Sequence, residues 1–335
     1  MSLDSLLGCR CCSIGSDGLL GSERQASGCS GSFKKINLRS GRMRIMYQTV
    51  HTVVFQAEKG GGNPCPVTLD ADGLTTEQMQ AMTKNFGQES VFLMKPDLAG
   101  CDFKARYFVP LHEMEMCLHA TIGSATVLVE KGLVTKSPLF YQTPLGKVRI
   151  DWERRGGAID VAVEQFLPET AAKNPTPEET ARVLRISKDD LALSNGPIQS
   201  VRTSRYKLIV PLRSRAVVDG LNPDFEALWN LCDAYDTTGF YVFALEKDSD
   251  GKPVFFARQF PKRAGYPEDP ATGVAASALG AYVTLNKVLP VSEGWNSITI
   301  MQGFAMGRPS IIHSDTRVEN GKIVQTRVRG SALLV

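Results

Sequence analysis

Residues 116–132 read MCLHATIGSATVLVEKG, and residues 268–283 read EDPATGVAASALGAYV. At an offset of 151, HATIGSA (119–125) falls on PATGVAA (270–276). Each run begins with residues that cap helices or carry protons, then passes into small and apolar residues. The first reads as a helix from about 121 to 131, closed by Gly132 in the position where a left-handed glycine ends helices. The second reads as a small-residue helix behind Asp269–Pro270.

The correspondence extends outward from these runs. RYFVP (106–110) matches ARQFP (257–261) at the same offset of 151, and DGLTTEQMQ (72–80) matches DGLNPDFEA (219–227) at 147. A helix, strands and a second helix recurring in order indicate an internal duplication. Two copies are too few for a solenoid or propeller, so the expectation is an α+β protein of two similar lobes facing each other across a cleft. The polar, proline-bearing stretch FLPETAAKNPTPEE (166–179) reads as the linker. The N-terminal lobe is then expected over 44–168 and the C-terminal lobe over 175–321, with 322–335 crossing back to the first.

Within the first lobe, β-branched and aromatic content marks strands at 47–55, 67–73, 90–94 and 101–110. A loop is expected over 58–66. Residues 74–87 read as a helix capped by Thr75 or Thr76, with Leu74, Met79 and Met82 inward. HEMEMCLH (112–119) alternates strictly, which places Glu113, Glu115, Cys117 and His119 on one strand face. In the second lobe, strands are expected at 206–212, 239–246 and 253–261, and a turn-then-helix unit at 217–235.

Bulk properties bound the function. The chain has 335 residues, 43% hydrophobic and 22% charged, typical of a globular protein of about two domains. A net charge of +3 gives no case for nucleic acid or an anionic membrane as partner. No apolar run reaches the roughly 20 residues of a membrane span. Four of the eight cysteines lie in the first 29 residues and the rest are scattered, which argues for a reducing, cytoplasmic setting over a disulfide framework. Residues 1–43, rich in Ser, Gly and Cys, read as a poorly ordered extension with no secretory-signal pattern. The CRCC run at 9–12 lacks the paired spacing of a metal site.

The duplicated helix starts suggest chemistry. A helix N-terminus offers unpaired N–H groups and the positive end of a dipole, a natural anion site. Two aimed at one cleft suit a carboxylate or an enolate. Cys117 and His119 precede the first helix; Asp269 precedes the second, with Thr272 and Gly273 at its start. Glu89, just before a strand, is within reach of the same cleft. This set suits proton abstraction beside a carboxylate or carbonyl and demands no cofactor.

GGGNP (60–64), FGQESVFLM (86–94), RYFVPLHEMEMCLHATIG (106–123), EDPATGVAASALGAYV and QGFAMGRPS (302–310) together resemble the phenazine-biosynthesis PhzF family, over about 46–335. The resemblance implies the diaminopimelate-epimerase fold: two pseudo-twofold-related lobes, each a mixed sheet wrapped around a central helix. It implies a cofactor-free isomerase, without metal, acting on a small carboxylate-bearing molecule, and a homodimer. It places a glutamate base at Glu89, with His119 and Asp269 beside it. It places substrate contacts at Asn63, Cys117, Ala120, Thr121, Thr272, Gly273, Val274 and Gly303. Two positions depart from the family pattern: Leu118 stands where glycine usually precedes the histidine, and Val274 where serine often follows DPATG. Both put the phenazine substrate in question and leave the acid/base groups standing. The related epimerases oppose two cysteines, and here only Cys117 occupies such a position.

Each residue also has a plainer reading. Cys117 alone is commonly a small buried residue. His119 and Asp269 are ordinary at helix starts. Glu89 alone is a surface carboxylate, and Arg308 either meets a substrate carboxylate or anchors a turn. GGGNP lacks the residues of a phosphate loop, and same-face residues on one strand, about 7 Å apart, rarely converge on one ion. Two other functions compete with an isomerase: a binding protein that kept the fold without turnover, and an epimerase or lyase acting beside a carboxylate.

Overall fold

The two duplicated runs become helices buried on all sides. In the computed structural model, which describes residues 47–335, the first lobe runs β1 (Gln48–Val54), β2 (Asn63–Leu69), α1 (Thr76–Phe86), β3 (Ser90–Met94), β4 (Phe103–Phe108), β5 (Glu113–Met114), α2 (Leu118–Glu130), β6 (Leu139–Thr143), β7 (Gly146–Arg155) and β8 (Ala158–Gln165). The second runs β9 (Glu169–Thr170), α3 (Pro177–Leu184), β10 (Gln199–Arg202), β11 (Lys207–Leu212), α4 (Arg215–Asp219), α5 (Phe225–Ala234), β12 (Gly239–Lys247), β13 (Pro253–Pro261), α6 (Gly273–Leu285), β14 (Gly294–Gln302), β15 (Ser310–Glu319) and β16 (Lys322–Leu334). The expected extension over 1–43, with its CRCC run, lies outside the described residues.

The duplication is visible in the pairing. β2 and β3 are parallel across α1, and β11 and β12 are parallel across α4 and α5. β4 and β6 are parallel across α2, and β13 and β14 are parallel across α6. The intervening pairs β3–β4, β12–β13, β6–β7 and β14–β15 are antiparallel. A parallel pair cannot be joined by a tight turn, so each crossover helix is a consequence of strand direction. The order β1-β2-β3-β4-β6-β7-β8-β16 returns to β1, closing the first lobe's sheet. β16 joins the lobes: it pairs with β15 of the second lobe and with β8 and β1 of the first.

In α2 every residue from Leu118 to Val129 is buried, and in α6 every residue from Gly273 to Val283. A helix apolar around its whole circumference belongs inside a sheet. α2 packs on β1, β2, β3, β8 and β16, while α6 packs on β10, β11, β14, β15 and β16. α1 lies outside, where Met79 is buried and Leu74 and Met82 half-buried against Phe92 and Phe108.

Several local expectations need correction. The alternation at 113–116 is real, with the glutamates exposed and the methionines buried, but it stops at Cys117. α2 begins at Leu118, so His119 sits in its first turn and not on a strand. The expected loop over 58–66 yields to β2 from Asn63. Pro64 and Pro66 are tolerated there because β3 pairs only with Val67 and Thr68, leaving that edge open. The linker contains β9 and the start of α3, whose Thr176–Glu179 capping box and Pro177 make a helix start. α1 is capped by Thr75 in a capping box with Gln78.

Candidate active site

α2 and α6 bring their N-termini to one cleft, together with Glu89 at the entry to β3. The cleft encloses about 70 Å³, and about 620 Å³ when the open space of its mouth is counted. Its wall includes Glu89, Cys117, His119, Asp269, Thr272, Gly273 and Val274. Asn63, Ala120, Thr121 and Gly303 are not in that wall. Asn63 stands behind Asp269: its side-chain amide donates to Asp269 Oδ1 at 2.8 Å and to the carbonyl of Ala271 at 2.9 Å. Thr121 is buried in α2, its hydroxyl bonded to the Cys117 carbonyl at 2.8 Å and to Tyr107 Oη at 2.7 Å. Gly303 occupies a buried turn, where its carbonyl accepts from the Arg308 amide at 2.9 Å. The Arg308 side chain is exposed and outside the wall, in keeping with the turn reading.

Glu89 is the hub of the first lobe's contribution. The Cys117 thiol donates to Glu89 Oε2 at 3.2 Å, and Tyr266 Oη, from the other lobe, donates to Oε1. Burial, then the neighbouring Glu89, push both the thiol and the phenol well above their ordinary pKa, so both keep their protons. His119 Nδ1 lies 3.3 Å from the sulfur and 3.5 Å from Glu89 Oε2. Burial holds the imidazole below its usual pKa against the opposing pull of Asp269, so it is neutral at pH 7 and forms no true salt bridge. Donor atoms of Glu89, Cys117 and His119 all lie within 4.8 Å of one another, a spacing one ion could bridge.

Asp269 is 6% exposed. Burial, then repulsion from Glu89, lift its carboxyl to about 7, opposed by His119, the Thr272 hydroxyl and Lys207. Thr272 donates its hydroxyl to Asp269 Oδ2 rather than capping α6. Cys117 likewise makes no side-chain cap on α2. Neither helix therefore spends its first-turn N–H groups on a capping side chain. Gln302 fixes this corner: its amide donates to the Asp269 carbonyl at 2.7 Å and to Thr272 Oγ1 at 3.1 Å, while its oxygen accepts from Tyr241 Oη at 2.9 Å.

Leu118 and Gly273 meet where the helices face. A Cβ built on Gly273 would stand 2.5 Å from Leu118 Cβ, so the glycine makes room for the leucine. Val274 is buried in the wall beside them.

Tyr266, Gln302, Lys207 and Gln259 are the functional candidates that sequence reasoning missed. Gln302 opens the quoted motif QGFAMGRPS and was within reach. Lys207, a charge at the head of the apolar strand KLIVPL, carried a weak signal; Tyr266 and Gln259 carried none.

A closed sheet around one central helix, a second sheet of matching strand pattern around another, and an acid/base cluster between their N-termini define a diaminopimelate-epimerase-like, PhzF-type isomerase fold. The chain belongs to the phenazine biosynthesis-like protein family (PhzC-PhzF), whose pattern matches residues 52–335. It is 30% identical to an uncharacterized isomerase of Clostridium acetobutylicum, over 84% of this chain and 93% of that one. It is 29% identical to the trans-2,3-dihydro-3-hydroxyanthranilate isomerase of Pseudomonas aeruginosa, over 85% of this chain and 96% of that one. The crystal structure of the Bacillus anthracis phenazine biosynthesis protein of the PhzF family superposes with a TM-score of 0.75 at 27% identity, covering 86% of this chain and 96% of that one. The chain is thus an enzyme of the isomerase class. Among the described residues no helix is long and apolar enough to cross a membrane.

Proposed function

We propose that this protein is a cofactor-independent isomerase that moves a proton at a carbon beside a carboxylate or carbonyl of a small acidic metabolite. The observation that supports this most is the convergence of Glu89, His119 and Asp269, from both lobes, on the facing starts of α2 and α6. Glu89 takes the proton from carbon, held in place by Tyr266 and Cys117. Negative charge then grows on the substrate oxygen and meets the first-turn N–H groups of the two helices, which are fixed before the reaction starts. Asp269, lifted to about 7 by burial and Glu89, is suited to return or relay a proton near neutral pH, with the neutral His119 beside it. Asn63, Thr272 and Gln302 position Asp269. The four described cysteines are free thiols, which supports a reducing, cytoplasmic setting.

The test uses trans-2,3-dihydro-3-hydroxyanthranilate, the compound in the relative's name, and a panel of small carboxylates in deuterated water. Enzyme-dependent label at carbon, or substrate depletion where transfer is internal, is expected for at least one compound. Glu89→Gln should lower that rate by about 10²-fold or more, the range for loss of a general base. An undiminished rate in Glu89→Gln would sink the mechanism. An epimerase using the same groups would return labelled substrate of inverted configuration, which chiral chromatography detects.

A further inference from the structure

Three cations line the second-lobe side of the cleft: Arg205, Lys207 and Lys262. Arg205 faces Glu115 at 3.7 Å, and Lys262 pairs with Asp233 at 3.0 Å. Lys207 is 6% exposed and lines the cleft, and its side chain makes no hydrogen bond or salt bridge with another described residue, although its nitrogen is not sealed away like the amide atoms of Gln259. Nearby, Gln259 is 1% exposed, lines the same cleft, and has both amide atoms unpartnered. Sealing an amide away without a partner costs stability, as does drawing an unpaired ammonium largely out of water, so two such groups in one cleft wall require a reason.

The strand register puts them together. Lys207 precedes the Leu208–Phe240 pair on β11 and β12, which aligns it with Gly239; Gly239 in turn faces Pro261 on β13. Gln259 lies two residues before Pro261 on the same strand, and residues two apart point to the same side of a sheet. Gly239, with φ +144, has no side chain between them: a Cβ there would come within 2.6 Å of Gln259 Nε2. The gap at Gly239 lets the amide of Gln259 lie over the backbone toward the strand that carries Lys207.

We propose that Lys207 and Gln259 form the receptor for the carboxylate of the substrate, leaving the N–H groups of α2 and α6 for the charge that develops at the reacting end. The inference rests on the isomerase reading for the existence of a substrate and adds which wall its carboxylate meets. The ammonium supplies charge and up to three donors; the amide supplies a neutral donor to the second oxygen. Burial and Arg205 draw Lys207 down to about 7 against the opposing pull of Asp269, Cys232 and Glu89, so an arriving carboxylate would restore its charge.

Calorimetric titration of the full chain with anthranilate and with its neutral counterpart 2-aminobenzamide tests the proposal. The wild type should bind the acid roughly tenfold or more tightly than the amide, as expected for a charge-assisted hydrogen bond. Lys207→Met and Gln259→Leu should each lose most of that preference, and Lys207→Arg should keep it. Lys207→Met should also melt higher than wild type, since it removes an unpaired buried charge, whereas a lysine with only a structural role would melt lower on replacement. An acid preference that survives in Lys207→Met, equal binding of acid and amide by the wild type, or no saturable binding of the acid in the millimolar range would each overturn it. No turnover enters the measurement, so its failure and that of the Glu89→Gln exchange experiment are separable.

Discussion

Replacing Asp269 with Asn should make the protein more stable, and increasingly so as the pH rises. The side chain is buried and its folded-state carboxyl titrates at about 7, against about 3.9 in an unfolded chain. A carboxyl shifted upward by folding contributes stability below its unfolded pKa and loses it as pH rises through the folded one. With a unit worth about 1.4 kcal/mol, the cost of the wild-type carboxylate is on the order of 1–2 kcal/mol at pH 5 and about 4 kcal/mol at pH 8.5. The Asn oxygen still accepts from Asn63, but its amide nitrogen cannot accept the Thr272 hydroxyl, a loss of about 1 kcal/mol. Asp269→Asn should therefore be nearly neutral or slightly stabilising near pH 5 and stabilising by about 3 kcal/mol near pH 8.5. Urea denaturation of both proteins across that range measures the gap. A gap that does not change with pH, or one that narrows as pH rises, would refute the argument. Proton exchange into substrate should fall in the same variant, a loss of function with a gain in stability as expected of a strained site.

Gly273→Ala should destabilise by about 1–3 kcal/mol, because its Cβ would stand 2.5 Å from Leu118 Cβ and 3.2 Å from Cδ1. Leu118→Gly, which removes that Cβ, should rescue it, so a double-mutant cycle on denaturation midpoints should show coupling well above about 0.5 kcal/mol, and strict additivity would remove the contact from the explanation. Cys117 should resist iodoacetamide near neutral pH, its thiol buried and pushed well above the ordinary range, while the half-buried Cys101 labels; mass spectrometry after short exposure distinguishes them, and rapid labelling of Cys117 would contradict its assignment as a protonated donor to Glu89.

The architecture was legible wherever local pattern and global position agree. SVFLM is β3 residue for residue, and the offset of 151 recovered α2 and α6 as partners because both must be apolar around their whole circumference. The boundary at Cys117 was misread because the alternation of Glu113 to Met116 continues smoothly into Cys-Leu-His, and period alone cannot see that a helix dipole starts there. β6 to β8 and β14 to β16 left little trace as duplicated strands. Their equivalence lies in pairing direction, and the role of β16 as the strand shared by both lobes depends on contacts more than 150 residues apart in sequence, such as Val328 with Val163.

The site divides in the same way. Groups that sit on the duplicated helix starts, His119, Thr272 and Asp269, could be found because a repeated motif carries them. Of the groups that reach the cleft from a strand or a loop, Glu89 was found through the FGQES stretch, while Tyr266, Gln259 and Lys207 were not. Tyr266 comes from a loop without periodicity, and Gln259 is one polar residue in the strand PVFFARQFP, indistinguishable there from an outward-facing one. Lys207 is the instructive case. Alternation would assign a lysine at a strand end to solvent, yet every residue of β11 is buried because the strand has α6 on one side and a second apolar cluster on the other. In a strand covered on both faces, a charge has nowhere to go except into a cleft, and Lys207 at the start of β11 lines the cleft containing Glu89 and Asp269. Physical cost, more than pattern, thus marks Lys207 as functional: the fold keeps an ammonium that it does not pair, next to the carboxylates that the proposed chemistry uses.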